Sequence, residues 1–306
     1  MNHTSRRMIG LAVPALGGAW ILAMTPLMAG DLIAPNAKLE KLADGFSFTE
    51  GPTSDAQGNV YFTDQPNDRI LKWSAAGGLS TFLQPAGRAN GMCFDRHGSL
   101  FACADEKNEL WNLDAKGQKT VLFSQYEGKN LNGPNDVWVH PEGGLYFTDP
   151  FYKRAWWTHD KMPQEGQHVY FVARDSKTPV RVVNDLEQPN GIVGSSDGKR
   201  LYVADIRARK TYRFDIQPDG RLENQTLFCE LGSDGMTLDA DGNLYLTGRG
   251  VTVFDREGKQ VEKIEVPENW TANVCFGGTD RKTLFITASK GLYGLRMKVA
   301  GNGPGK

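Results

Sequence analysis

The chain has 306 residues, of which 40% are hydrophobic and 23% charged, enough for a large core, and its 35 glycines suit a turn-dense all-β fold. A formal charge of −1 gives no electrostatic case for nucleic acid or an anionic membrane surface. With four cysteines, at 93, 103, 229 and 275, there is neither a disulfide-rich scaffold nor a paired metal-binding pattern; buried thiols are expected, although Cys93 and Cys103 share one predicted hairpin.

Residues 1–29 read as a cleaved export signal. Arg6 and Arg7 precede an apolar run from Met8 to Met28, and Leu27-Met28-Ala29-Gly30 fits a small-residue cleavage site. Pro14, Gly17, Gly18 and Pro26 dilute the run and argue against a membrane anchor. Ser5-Arg6-Arg7-Met8-Ile9-Gly10-Leu11 is a partial match to the twin-arginine motif, so a bacterial periplasmic or secreted protein is expected, with no stable membrane insertion after cleavage. Losing both arginines takes the formal charge from −1 to −3.

Residues 30–306 are expected to form a single domain, because one unit is written six times: a polar anchor, a short apolar strand, an Asp/Gly turn, then a strand rich in Tyr, Phe and Thr. The third copy is Pro134-Asn135-Asp136-Val137 followed by Leu145-Tyr146-Phe147-Thr148-Asp149. The anchors Glu50, Asn90, Asn135, Asn190, Asp234 and Asn273 are separated by 40, 45, 55, 44 and 39 residues, near the length of a four-stranded propeller blade. An all-β, six-bladed β-propeller follows. The strand at Lys38–Ala43 arrives before any blade has begun, while the last repeat has room for only three strands; the N-terminal strand is therefore predicted to complete the last blade and close the ring.

Since each blade's innermost strand lines the central channel, the six anchor oxygens are expected to meet at one mouth. The turns Asp55–Gly58, Asp95–Gly98, Pro141–Gly144, Ser196–Gly198 and Asp239–Gly242 fall at the opposite face. The loops after the second strands surround the anchors, and the longest, Pro150 to His168, carries Phe151, Tyr152, Trp156 and Trp157: a lid over the ring, or an Ω-loop packing its own aromatics.

Asn-Gly and Asp-Gly at Asn90, Asn190 and Asp234 are also what local turns require, whereas Glu50 is a poor turn residue. Two carboxylates with several amides suit a hard divalent cation, calcium first, with magnesium, manganese or zinc as alternatives. No histidine occupies an anchor position. Gly194-Ser195-Ser196-Asp197-Gly198 formally matches a serine-hydrolase elbow, but it aligns with distal turns between two strands and no helix follows.

Together, Glu50-Gly51-Pro52, Pro134-Asn135-Asp136-Val137, Pro189-Asn190-Gly191 and Ser233-Asp234-Gly235-Met236 resemble the gluconolactonase, regucalcin and luciferin-regenerating-enzyme family over roughly residues 45–295. The resemblance implies one divalent ion in the channel held by Glu50, Asn135, Asn190 and Asp234, with Asp234 also as acid/base. It implies lactone hydrolysis to a hydroxy acid, by Lewis-acid polarisation of the ester carbonyl and proton removal by Asp234. Regucalcin-type members carry an Arg two residues before the first Asn ligand; here that position is Gly133. Asn90, Asn273, Trp156 and Arg207 are the candidate substrate contacts, with Arg209 and Arg249 as further loop arginines. The expected partner is a small-molecule lactone, and a monomer is expected. Organophosphate hydrolysis on the same metal ring, and a ligand-binding propeller without turnover, are the alternatives.

Overall fold

A computed structural model describes Met1 and residues 32–303; the export signal expected at residues 1–29 lies outside this span, and among the described residues no helix is long and apolar enough to cross a membrane. Six four-stranded antiparallel sheets are arranged as propeller blades. Blade 1 contains Thr49–Ser54, Val60–Asp64, Arg69–Ser74 and Gly78–Leu83, and blade 2 runs from Ala89–Phe94 through Leu100–Ala104 and Glu109–Leu113 to Lys119–Phe123. Blades 3, 4 and 5 open on Val137–Val139, Pro189–Gly194 and Met236–Leu238. Blade 6 takes Thr271–Gly277, Thr283–Ala288 and Gly291–Arg296 from the end of the chain and its fourth strand, Glu40–Asp44, from the beginning. Glu40 stands opposite Gly294 and Asp44 opposite Gly291, so the ring closes as predicted.

The core is divided rather than central: each blade presents a two-faced strand surface, and each inter-blade interface buries its own hydrophobic cluster. Tyr61 and Ile70 of blade 1 pack with Met92, Phe94 and Leu100 of blade 2; Phe62 and Leu71 pack on their other side with Cys275 and Phe285 of blade 6. Tyr146 of blade 3 is buried with Ile192 and Val203 of blade 4. At roughly 1.5–3 kcal/mol per fully buried large apolar side chain, these interfaces hold the blades at fixed angles around the axis.

The threonine repeated in four of the six second strands has a specific task. Thr63 Oγ donates to Asn90 O (3.2 Å), Thr148 Oγ to Asn190 O (2.8 Å) and Thr287 Oγ to Asn273 O (3.1 Å), tying second strands to anchor carbonyls. The aspartates that follow clamp the incoming chain: Asp64 accepts the amides of Ser47 and Phe48, Asp149 those of Asn132 and Gly133, Asp205 those of Glu187 and Gln188.

One feature was not foreseen. The C-terminal segment crosses the distal end of the channel, where Ala240 N donates to Ala300 O (2.8 Å) and Gly301 N to Arg281 O (2.8 Å). It pairs Asp239 with Gly301 and adds Asn302 and Gly303 to the channel lining. All four cysteines are free thiols; Cys93 stands opposite Phe101 and Cys103 opposite Leu110, so register does not pair them.

Candidate active site at the proximal mouth of the channel

The anchors open the innermost strands, and the reason they are followed by glycine is packing. A Cβ on Gly51 would lie 2.0 Å from Asn90 O, on Gly91 2.6 Å from Asn135 O, on Gly191 2.8 Å from Asp234 O and on Gly235 1.9 Å from Asn273 Cγ. At three of these glycines the next anchor's backbone abuts, and at Gly235 the Asn273 side chain does. Of these glycines only Gly51 has a left-handed φ (45°), which removes the local-turn explanation for the Asn-Gly and Asp-Gly pairs. A register shift interrupts the first strand pair at Glu50/Thr53, Ala89/Met92, Pro189/Ile192 and Thr271/Asn273, a bulge repeated in four blades at the anchor.

Glu50, Asn90, Asn135, Asn190 and Asn273 are buried and Asp234 is half-buried. Asn190 Nδ2 donates to Asp234 Oδ1 (2.9 Å) and to the Tyr152 hydroxyl (2.6 Å), while Trp270 Nε1 donates to Asp234 Oδ2 (2.6 Å). Both oxygens of Asp234 are thus held by donors. Among the described residues, Glu50 Oε2 accepts only the amide of Gly51 (3.0 Å). Burial raises the pKa of both carboxyls; the negative charge of Asp234 raises Glu50 further, and Arg154 opposes the rise in both. Like charges desolvated at one mouth are an arrangement that a bound cation relieves.

Among the described residues there is no group of three or more His, Cys, Asp and Glu side chains arranged to hold a metal ion. The fit therefore depends on amide oxygens as well. Glu50 and Asp234 supply two carboxylates, Asn190 bonds directly to Asp234, and the Asn135 side chain takes no protein partner among the described residues. All-oxygen donors of this kind suit calcium or magnesium rather than zinc.

One anchor turns elsewhere. Asn273 Oδ1 accepts the amide of Val274 (2.8 Å) and its side chain reaches Asp136, a buried carboxylate in the channel. Asp136 accepts the amides of Val137 and Ile192 (3.0 and 3.3 Å), and burial pushes it up to about 8. Sequence reasoning passed over it, although a signal was present: four repeats have glycine after the anchor, and blade 3 has aspartate. The room for its carboxyl is the space that a Cβ on Gly91 would fill, 2.3 Å from Asp136 Oδ1.

The loop after Asp149 is both a lid and a self-packed Ω-loop. Phe151, Trp157 and His159 pack on one another, with Trp157 and His159 stacked at 4.9 Å. Tyr152, Arg154 and Trp156 form the other set: Arg154 lies over the rings of Tyr152 (5.0 Å) and Trp156 (5.7 Å), and Trp156 meets Arg88 on a further contact (4.7 Å). Trp157 Nε1 donates to Asp105 O (2.7 Å), and a Cβ on Gly133 would lie 2.8 Å from its ring. A longer side chain at 133 therefore cannot coexist with Trp157 in this position. Arg207 is exposed on the loop after Asp205 and makes no ion pair among the described residues, whereas Arg209 and Arg249 line a pocket beside Asp234 and Trp270. His168 is not a loop residue: it opens the third strand of blade 3 and is buried there.

The serine-elbow match is a distal turn. Ser195 Oγ donates to Asp197 Oδ1 (2.5 Å), Ser196 is exposed, and the neighbouring His140 has both ring nitrogens engaged, Nδ1 by Glu142 N and Nε2 by Gly198 O.

The gluconolactonase of Zymomonas mobilis is 27% identical over 294 residues, covering 86% of this chain and 82% of that protein. A gluconolactonase structure from Xanthomonas campestris superposes with a TM-score of 0.81 at 28% identity, covering 89% of this chain and 91% of that one. Regucalcin from Agrobacterium tumefaciens, a calcium-binding protein, shares the fold (TM-score 0.73, 21% identity, 88% and 96% covered). With the family model for the SMP-30/gluconolactonase/LRE-like region matching residues 48–290, the chain belongs to that family.

Proposed function

We propose that this protein is a divalent-cation-dependent lactonase that opens a hydroxylated lactone to its hydroxy acid. What supports this reading is the direct bond between Asn190 and Asp234, with Glu50 near enough to feel the Asp234 charge and the buried Asn135 side chain unpartnered among the described residues, in a chain of the gluconolactonase family. These four residues would hold the ion. When bound, it supplies Lewis-acid polarisation of the lactone carbonyl.

The chain's own groups do the rest. Asn190 and Trp270 fix both oxygens of Asp234, so that this carboxylate is aimed before substrate arrives. Asp234 accepts a proton from the attacking water as the new carbon–oxygen bond forms, and returns it to the departing ring oxygen when the ester bond breaks. The loop carrying Tyr152 and Trp156 screens the mouth from bulk water. Export of the mature chain, beginning near Gly30 or Asp31, is part of the same reading and is tested by N-terminal sequencing.

The deciding experiment is hydrolysis of sugar lactones, aromatic lactones and phosphotriesters, each with and without chelator. Chelation is expected to abolish lactone turnover, and calcium, magnesium or manganese to restore it. Full turnover by metal-stripped protein, or turnover of phosphotriesters alone, overturns the proposal.

A further inference from the structure

Asp105 departs from the pattern that its counterparts follow. Asp64, Asp149 and Asp205 end their second strands and clamp backbone amides, but in blade 2 that position is Ala104, opposite Glu109 as Asp64 is opposite Arg69. One residue later, Asp105 is free for another partner. It accepts Arg154 Nε (2.9 Å) and Gln65 Nε2 (3.1 Å), and so pins a guanidinium from the long loop.

That guanidinium is fixed on three sides and open on the fourth. Tyr152 and Trp156 bracket it with their rings, Asp105 holds Nε, and neither Nη group has a hydrogen-bond partner among the described residues. The Arg154 side chain remains 21% exposed. Through the Tyr152 hydroxyl, bonded to Asn190, it stands two side chains from Asp234. Beside it, Trp156 Nε1 and Arg88 Nε are buried donors without hydrogen-bond partners among the described residues, with the Glu106 carboxylate 4.0 Å from Arg88 Nε. Such donors are costly unless an acceptor arrives, and acceptor-rich ligands with flat C–H faces suit a site of paired guanidinium groups and aromatic rings.

We propose that Arg154 is a specificity residue that receives the hydroxyl or carboxylate oxygens of a polyhydroxylated lactone and of its sugar-acid product, with Trp156 Nε1 and Arg88 as the adjoining donors. The inference rests on the lactonase reading for its substrate, but binding can be measured without turnover. The competing account is that Arg154 and Asp105 merely clip the loop shut.

The test compares wild type, Arg154→Ala, Arg154→Lys and Asp105→Ala on glucono-δ-lactone and on δ-valerolactone, which lacks hydroxyls, and measures gluconate binding to the calcium-loaded proteins by calorimetry. Loss of a charge-assisted hydrogen bond corresponds to roughly 10- to 100-fold. Arg154→Ala is expected to raise KM for gluconolactone and Kd for gluconate by about that factor, with the valerolactone KM within a few-fold of wild type. Arg154→Lys recovers part of the loss, and Asp105→Ala has a smaller effect. Parallel losses on both lactones, equal losses in Asp105→Ala, or unchanged gluconate affinity in Arg154→Ala overturn the assignment. If wild type turns over neither lactone, it is the lactonase reading that fails, and gluconate affinity in wild type and Arg154→Ala decides this one.

Discussion

The two mouths of the channel are made from the same six repeats and have opposite characters. At the distal mouth the repeats end in short turns whose aspartates serve the backbone: Asp55 accepts the amides of Gln57 and Asn59, Asp95 those of His97 and Ser99, Asp239 those of Asp241 and Asn243. The C-terminal segment then covers that end. At the proximal mouth, the buried Glu50 has one amide partner for its two carboxyl oxygens among the described residues, and the loop over it presents the unpaired donor Trp156 Nε1. A polar group that is locally satisfied builds the fold; one left incompletely satisfied in a buried position is where a ligand is expected.

The largest effect expected from breaking this contrast is at Asp234. Asp234→Asn keeps an oxygen at the mouth and removes the proton acceptor, so kcat is expected to fall by roughly 10²–10⁴-fold with metal still bound. Glu50→Gln removes charge without removing that acceptor. Its expected signature is metal affinity weakened by more than the roughly tenfold that losing an outer-shell partner costs, with turnover partly recovered at excess cation. Turnover and metal occupancy measured together separate the two; identical behaviour of the variants would show that the carboxylates have no division of labour.

Legibility in the sequence followed the same divide. Everything repetitive was readable: the anchors, the second-strand threonines, the orphan strand at Glu40–Asp44 that closes blade 6. What escaped was non-repetitive. Trp270, Tyr152 and Arg154 reach the anchors from segments brought near only by the ring, so no spacing announces them. Asp105 and Asp136 escaped although each breaks the repeat, because the pattern was read for its agreements. The glycine after four of the anchors was legible as a residue but not as a reason, since the close approach of neighbouring anchors exists only once the ring is closed.

An intermediate effect is expected where the distal closure meets the core. A Cβ on Gly301 would lie 2.1 Å from Phe276 Cβ, and Gly301 N donates to Arg281 O (2.8 Å). Gly301→Ala should therefore cost about 1–3 kcal/mol through overpacking, seen as a lower midpoint in thermal or denaturant unfolding. Below the transition, kcat/KM should match wild type. A loss of turnover without loss of stability would mean that the two mouths communicate through the channel.

The smallest effect is expected at Ser196, and it sharpens the comparison most. Gly194 to Gly198 has the spacing of a hydrolase nucleophile turn, yet it joins the strands Pro189–Gly194 and Arg200–Asp205 at the distal face. A nucleophilic serine requires a base within hydrogen-bond reach. The nearby imidazole, His140, is occupied at both nitrogens, and Ser196 is exposed with no side-chain hydrogen bond among the described residues. Ser196→Ala should leave turnover unchanged and stability within about 0.5 kcal/mol, as for an exposed turn position without a structural task. Paired with Asp234→Asn, it assigns the chemistry to a face. If Ser196→Ala abolishes turnover while Asp234→Asn retains it with metal bound, the distal mouth is the active one, and the anchors are structural.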